Sequence, residues 1–189
     1  MGQGHSGQLA FLTLALAALS RDASSLCQTG FNSGHSAVTA LVSNPAVKVL
    51  SFDLGEEAAV AAAAKYIDAT FSGRHTLVLG DSRDTVPAAA AAAASAAAPR
   101  VCDVAFVDGG HFGDVPLSDI MGLALMSRDR LGFRVYIMGL ALMSRDSTLL
   151  VVDDTPFLRD VEAAWFDPAA ALEIQPNFCF MAFCAWTRD

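Results

Sequence analysis

The 189-residue chain is long enough to bury the core of one α/β domain, and its length does not favour a second domain. Its residues are 53% hydrophobic and 17% charged, with a mean hydropathy of +0.42, which excludes the composition of a disordered protein. The net charge of -8 comes with few, scattered basic residues, so a nucleic-acid partner is not expected; a polar or cationic small-molecule partner is compatible with this charge, which can also serve solubility alone.

The N-terminal segment, residues 1–22, is predicted to form a helix that packs on the single domain spanning 1–189. Residues 9–19 are apolar but too few to span a bilayer, and no basic residue precedes them as a signal peptide requires. Gly2 followed by Ser6 matches an N-myristoylation pattern, although so short a pattern often arises by chance.

The cysteines lie in apolar runs, and their spacings fit neither a Cys-x-x-Cys motif nor a zinc site. They are Cys27, Cys102, Cys179 and Cys184. We therefore expect buried, reduced thiols and a cytoplasmic location.

Strand-like apolar runs alternate with helix-like, alanine-rich runs, which predicts an α/β fold with a mostly parallel sheet and helices on both faces. The predicted strands are 24–28, 46–54, 75–81, 101–110 and 147–155, then a closing pair at 172–175 and 178–186. A turn at Pro176 and Asn177 joins this closing pair, which gives a C-terminal antiparallel strand. Helices are predicted near 35–43, 55–71 and 88–98.

A tandem repeat interrupts this alternation between the fourth and fifth predicted strands. The decapeptide IMGLALMSRD occurs at 120–129 and again at 137–146, a period of 17 residues. Two copies do not make a solenoid, and perfect identity is typical of a recent duplication. The duplicated segment, 120–146, is therefore predicted to lengthen a surface crossover without breaking the sheet.

In a doubly wound sheet, ligands bind beyond the carboxyl ends of the strands. At the first such end, QTGFNSGHSA places Gly30 and Gly34 where the backbone turns tightly and approaches a ligand, although a plain strand–helix turn is the alternative. Asp53 ends the second strand, where Rossmann-like folds place an acid that binds ribose hydroxyls, although it could instead cap a helix.

Five motifs together resemble those of a known family. QTGFNSGHSA, VLSFDL, LVLGDS, FVDGGH and LLVVDD, in this order, resemble the motifs of class I S-adenosylmethionine-dependent methyltransferases, with the closest match to catechol-type and macrolide-type O-methyltransferases. The resemblance covers roughly residues 24–187. It implies a Rossmann-like doubly wound fold, S-adenosylmethionine as cofactor, and methylation of a hydroxyl group on a small molecule.

The resemblance also implies the cofactor-binding residues. Those that would line the methionine part are Gly30, Phe31, Asn32, Gly34 and Ser36. Asp53 would hold the ribose, Asp81 and Ser82 would lie beside the adenine, and Asp108 would also contact the cofactor. Gln28 stands where these families usually have Glu, which puts the contact of that carboxylate in doubt.

Three carboxylates are predicted to meet at the ends of two neighbouring strands. Asp108, Asp153 and Asp154 would be costly to bury together unless a cation neutralises them, and oxygen ligands alone suit Mg²⁺. Catechol-type relatives are similar in using acids at the ends of these strands as metal ligands. In the alternative interpretation, Asp153 and Asp154 cap the following turn while Asp108 contacts the cofactor.

His111 matches the position from which catechol-type relatives project a lysine base, three residues after Asp108. Its imidazole could accept the acceptor's proton, because it titrates near neutrality. His111 and Asp108 are therefore the candidate catalytic residues, although a histidine in a glycine-rich loop can simply hydrogen-bond the backbone.

Two other functions are compatible with these residues. The glycine turn and Asp53 would also suit an NAD(P)-dependent oxidoreductase, but the turn lacks a third glycine in GxGxxG spacing and the chain has no Tyr-x-x-x-Lys pair. A non-catalytic relative that kept the fold is favoured by Gln28 and by the repeat. A homodimer is compatible with either function.

Overall fold

The computed structural model describes Thr13 and residues 24–95, 102–126, 149–153, 175–180 and 183–187. The strands within these ranges are β1 (Ser25–Thr29), β2 (Lys48–Asp53), β3 (His75–Leu79), β4 (Val104–Val107), β5 (Leu149–Asp153), β6 (Gln175–Phe180) and β7 (Phe183–Thr187). The helices are α1 (His35–Ser43), α2 (Ala58–Thr70), α3 (Ser82–Ser95) and α4 (Val115–Leu125). Apart from Thr13, the predicted N-terminal helix lies outside the described residues, as does the second copy of the repeat.

The strands form one sheet in the order β3-β2-β1-β4-β5-β7-β6. The first five strands pair in parallel, and β7 runs antiparallel to β5 and to β6. The direction of progression along the sheet reverses between β1 and β4, which creates the topological switch point where such sheets bind ligands. The doubly wound, mostly parallel sheet predicted from the sequence is confirmed.

The helices cover the two faces of this sheet. Because parallel crossovers are right-handed, the path from β1 to β3 places α1 and α2 on one face, and the reversed path places α3 and α4 on the other. In agreement, α3 packs against α4. Gly122 of α4 allows this close packing, since a Cβ there would lie 2.7 Å from Cγ1 of Val86.

The core lies on both sides of the central strands. β4 is buried along its whole length, and β1 is buried from its second residue to its last. In α2, Val60 and Ile67 are buried and lie seven residues apart, the spacing of one helix face. The largest fully buried side chains include Phe31, Phe52, Leu26, Leu41, Ile67 and Leu123.

The C-terminal strands and the third predicted helix have different bounds from those predicted. The turn predicted at Pro176 and Asn177 is wrong, because both residues lie inside β6. The single strand predicted at 178–186 is also wrong, because β6 ends at Phe180 and β7 begins at Phe183. The register shifts between Pro176 and Phe178, and a bulge of this kind accommodates a proline that cannot donate to the ladder. Helix α3 begins at Ser82, ahead of the predicted alanine-rich segment, and contains Pro87.

The expectation of reduced thiols is wrong for the first two cysteines, since Cys27 and Cys102 form a disulfide. Their Cα atoms lie 5.5 Å apart, within the usual range, although 75 residues separate them in the sequence. Adjacency of β1 and β4 brings them together, and the sequence alone does not show this adjacency. The disulfide removes the support that reduced thiols gave to a cytoplasmic location. No helix in the described ranges is long and apolar enough to cross a membrane.

Candidate functional site

The ends of β1, β2 and β4 meet at Gly30. This residue has a φ of +78°, and a Cβ on it would overlap the carbonyl oxygen of Asp108. The Gly30 N–H donates to the Phe52 carbonyl at 2.9 Å, and the Asp108 N–H donates to the Thr29 carbonyl at 3.1 Å. The tight turn predicted at Gly30 exists, and the close backbone approach there is to Asp108, which joins two strand ends that are 78 residues apart in the chain.

The carboxylate of Asp53 shapes the glycine-rich loop between β1 and α1. Its Oδ2 accepts the N–H groups of Phe31 at 2.8 Å and Asn32 at 2.9 Å, and its Oδ1 accepts the Gly55 N–H at 2.8 Å. These bonds hold Asn32 at a φ of +45°, which few residues other than glycine adopt. A carboxylate offers about four acceptor positions, so one position on Oδ1 is left for a ligand.

Helix α1 begins directly after this loop. Gly34 precedes it with a φ of 74°, and no side chain caps the helix. The N–H groups at the start of an uncapped helix attract anionic groups, because they lack partners within the helix and lie at the positive end of its dipole. Ser36 is the second residue of α1, so the predicted contact with a carboxylate falls on a suitable element.

Phe31 packs beneath the loop. Its side chain is 2% exposed and stacks on the His75 ring, with ring centroids 5.0 Å apart. Burial lowers the pKa of His75, and the nearby Asp68 only partly opposes this effect. The Phe31 side chain therefore anchors the loop on β3, while its backbone N–H faces Asp53.

Gln28 is fully buried within the sheet. Its Nε2 donates to Oγ of Ser51 at 3.1 Å, and that hydroxyl lies 3.0 Å from Nε2 of His75. Its Oε1 has no hydrogen-bond partner among the described residues. The amide at this position therefore bonds to β2, and a carboxylate in its place would be buried beside a single hydroxyl.

Asp81 caps helix α3 at the end of β3. Its Oδ1 accepts the Arg83 N–H at 2.9 Å, and its Oδ2 lies 2.6 Å from Nη2 of the same arginine. Hydrogen bonds from Arg83 lower the pKa of Asp81 to about 2. Arg83 also pairs with Asp114 at 3.2 Å, so it links the start of α3 to the loop before α4.

The loop between β4 and α4 carries the candidate catalytic pair. Nε2 of His111 lies 3.6 Å from Oδ1 of Asp108, and the two side chains are 30% and 35% exposed. This distance suits an ion pair once the imidazole is protonated, but is long for a hydrogen bond. The structure brings these two residues together at the sheet edge where Gly30 and Asp53 lie.

The candidate metal ligands are only partly described. Val107 of β4 aligns with Val152 of β5, so Asp108 and Asp153 follow at the same level on neighbouring strands. Asp154 lies outside the described residues. Within the described ranges, no group of three or more His, Cys, Asp or Glu side chains is arranged to hold a metal ion.

Sequence reasoning missed Asp119 on α4. This residue is fully buried, neither carboxyl oxygen makes a hydrogen bond of ordinary geometry with a described residue, and its Oδ2 occupies the space that a Cβ on Gly109 would need. Burial raises the pKa of Asp119, and nearby hydroxyls on Ser82 and Thr29 oppose the rise. The sequence carried a signal, because an acid at this position shares a helix face with the buried Leu123.

Comparison with known proteins gives structural relatives but no sequence relatives. No family model matches the chain, and no curated protein matches it. The Bacillus cereus O-methyltransferase in complex with SAH is similar with a TM-score of 0.71 and 13% identity, over 99% of this chain and 83% of that one. The calicheamicin methyltransferase CalS11 is similar with a TM-score of 0.67 and 15% identity, over 97% of this chain and 80% of that one.

A third relative has a higher sequence identity. The O-methyltransferase TomG from Streptomyces achromogenes, involved in tomaymycin synthesis and solved in complex with SAM, has a TM-score of 0.64 and 16% identity, over 98% of this chain and 79% of that one. Its identity, like the others, is low enough that the likeness is one of fold. The chain therefore has the fold of these O-methyltransferases, in agreement with the family that its strand-end motifs resemble.

Proposed function

We propose that the chain is an S-adenosylmethionine-dependent methyltransferase that acts on a hydroxyl group of a small acceptor. The observation that carries this proposal is the meeting of three strand ends at one place. Gly30 contacts the Asp108 backbone, and the Asp53 carboxylate binds the loop that follows Gly30. The similar O-methyltransferases solved with SAM or SAH support it.

The proposed cofactor site uses the residues that surround this meeting point. The Gly30–Gly34 loop and the uncapped start of α1, with Ser36, would bind the methionine part and its carboxylate. The remaining acceptor position of Asp53 would take a ribose hydroxyl. Asp81 and Ser82 would border the adenine, with the Asp81 carboxylate held in place by Arg83.

The proposed chemistry is a direct displacement at the methyl carbon. When bound, S-adenosylmethionine supplies an electrophilic methyl group on a sulfonium. The acceptor oxygen would receive this methyl group as the carbon–sulfur bond breaks, with SAH as the leaving group, and it would have to lose its proton. His111 would take that proton, and the Asp108 carboxylate 3.6 Å away would stabilise the resulting imidazolium.

We also propose that Asp108, Asp153 and Asp154 bind Mg²⁺. The parallel register of β4 and β5, which sets Asp108 beside Asp153, supports this site. A bound divalent cation would lower the pKa of the acceptor hydroxyl and orient it. The net charge of -8 further favours a small acceptor over a nucleic acid.

Isothermal titration calorimetry with SAH tests the cofactor proposal, with NADH as the competing ligand. We expect SAH to bind once per chain and NADH to give no heat. Binding of NADH alone would overturn the proposal in favour of the oxidoreductase, and binding of neither would leave the fold without this function.

A second titration tests the metal proposal. We expect MgCl₂ added to the SAH-loaded protein to give a binding heat that Asp108→Asn removes. An exposed acid outside the site, Glu56→Gln, serves as the matched control and should leave the heat unchanged. SAH binding with no magnesium heat in the parent chain would contradict the metal site and leave His111 as the proposed base.

A further inference from the structure

Asp119 lies beneath the loop that carries the candidate catalytic pair. Three segments approach its carboxyl: the Thr29 hydroxyl at the end of β1, the Ser82 hydroxyl at the start of α3, and Gly109 in the loop after β4. The Asp119 carboxyl and the Thr29 hydroxyl both border Gly109, where a Cβ would lie 3.1 Å from the Thr29 oxygen. An acid on α4 therefore reaches the same crevice as the predicted site residues.

Gly109 and Gly110 both rest on one face of α4. A Cβ on Gly110 would lie 2.8 Å from Cγ1 of Val115, and one on Gly109 would collide with the Asp119 carboxyl. Val115 and Asp119 are four residues apart, so their side chains project side by side from the helix. Any side chain at position 109 or 110 would displace the loop from α4, and Asp108 and His111 would move with it.

The carboxyl of Asp119 lacks the hydrogen bonds that a fully buried polar group normally makes. Among the described residues, neither of its oxygens makes a hydrogen bond of ordinary geometry and neither does the Thr29 hydroxyl, although the Thr29 and Ser82 hydroxyls lie close enough to oppose the rise in its pKa. Burying a polar group without a good hydrogen bond costs folding free energy. The Asp119 carboxyl and the Thr29 hydroxyl, two such groups side by side, therefore require an explanation. The charged groups around it largely offset one another, because Asp81 disfavours the ionised form and Arg83 favours it, while Asp108 and His111 lie on the loop above.

We propose that Asp119 is a positioning residue, whose carboxyl hydrogen-bonds the Gly109–Gly110 segment and the Thr29 hydroxyl in solution, whether or not the crevice holds its ligand. A small shift of the loop toward α4 is enough to form these bonds, since the groups are already in contact. Asp108 and His111 precede and follow this segment directly, so the same bonds fix both of them. The role of Asp119 in methyl transfer rests on the proposed function, but its hold on the loop does not.

The test compares Asp119→Leu with Asp119→Asn. Leucine has the same number and branching of side-chain heavy atoms as aspartate but no polar atom, whereas asparagine keeps one acceptor and one donor group. Asp84→Asn on the exposed start of α3 is the matched control. Amide hydrogen exchange of residues 108–114 is measured without cofactor, and SAH affinity is measured by calorimetry.

We expect Asp119→Leu to fold, to raise exchange of residues 108–114 about tenfold, and to weaken SAH binding about tenfold, the scale of one lost buried hydrogen bond. Asp119→Asn should restore both quantities to within about threefold of the parent chain, and Asp84→Asn should change neither.

Parent-like exchange in the leucine variant would show that Asp119 only fills space, and would overturn the proposal. Failure of the asparagine variant to restore loop protection would overturn it as well. If the parent chain does not bind SAH, the proposed function fails by itself, and the exchange of residues 108–114 still decides whether Asp119 holds the loop.

Discussion

Two acidic side chains at the same crevice differ in the hydrogen bonds that they accept. Asp53, at the end of β2, accepts three backbone N–H groups and shapes the loop after β1. Asp119, on α4, is fully buried and accepts none. The comparison shows that the β1 side of the crevice is already organised by hydrogen bonds, while the Asp119 carboxyl beneath the loop after β4 still has hydrogen-bonding capacity to fill.

The largest expected effect concerns the contact that joins the two sides. Gly30→Ala should lower the free energy of unfolding by about 3–5 kcal/mol, because the new Cβ meets the Asp108 carbonyl and the residue has a positive φ. Gly73→Ala is the control, since its φ is +72° and nothing lies within 4 Å of its Cβ position. It should cost only about 1 kcal/mol of strain in urea denaturation. Equal losses in the two variants would mean that the β1 and β4 ends do not touch.

The same substitution at both acids should separate their roles. Asp53→Leu leaves three N–H groups without an acceptor and should cost about 2–3 kcal/mol of folding free energy. Asp119→Leu removes a fully buried carboxyl together with its desolvation penalty, which offsets the lost loop bonds, so it should cost less than about 1 kcal/mol. Urea denaturation at neutral pH measures both. A loss for Asp119→Leu as large as that for Asp53→Leu would show that the two carboxyls are satisfied alike and that the contrast is false.

The pH dependence of stability gives a further test. Burial raises the pKa of Asp119, so the folded protein holds this proton more tightly than the unfolded chain does. Its contribution to stability is therefore present in full below the unfolded value of 3.8 and is lost as the pH rises through the folded pKa. Within that window, the parent chain should lose about 1 kcal/mol per pH unit relative to Asp119→Asn. Parallel stability curves for the two proteins would contradict the burial of an ionisable carboxyl.

The smallest effect is expected for removal of the repeat. Deletion of residues 130–146 or of 120–136 yields the same chain, because the two copies are identical. The Met126 carbonyl accepts the Cys102 N–H at 3.2 Å, and Leu149 pairs with Val104, so the end of α4 lies near the start of β5. In the shortened chain, five residues would remain between Met126 and Leu149, and they can span about 17 Å.

We therefore expect the shortened chain to keep its stability within about 1 kcal/mol, as measured by urea denaturation, because the deletion shortens only a crossover. SAH affinity, measured by calorimetry, should be unchanged. Loss of the folded state would show that the repeated segment is needed to stabilise the sheet.

The sequence predicted the parts of the site that follow strand ends. Gly30, Asp53 and Asp108 were found because apolar runs mark the strands and the residues after them face the crevice. Asp119 was missed because it lies in the middle of a helix, where the burial of a side chain depends on how α4 packs against the sheet. The Cys27–Cys102 disulfide was missed because it depends on which strands are neighbours, a property of the whole sheet.

Local hydrogen bonds also escaped the sequence analysis. The acid at 53 was expected to bind ribose or cap a helix, and in the structure it organises the loop after β1. Asp81 was expected beside adenine, and it caps α3 while pairing with Arg83. Residue type and spacing predicted where these acids lie, but the donors around them depend on loop geometry that spacing does not determine.

A backbone amide NMR titration with SAH tests the central claim most directly. One ligand should shift the resonances of the Gly30–Gly34 loop, of Gly55 beside Asp53, and of Gly109 and Gly110, all with the same half-saturation concentration. Shifts confined to one of these segments, or different half-saturation concentrations among them, would show that the strand ends do not form a single cofactor site.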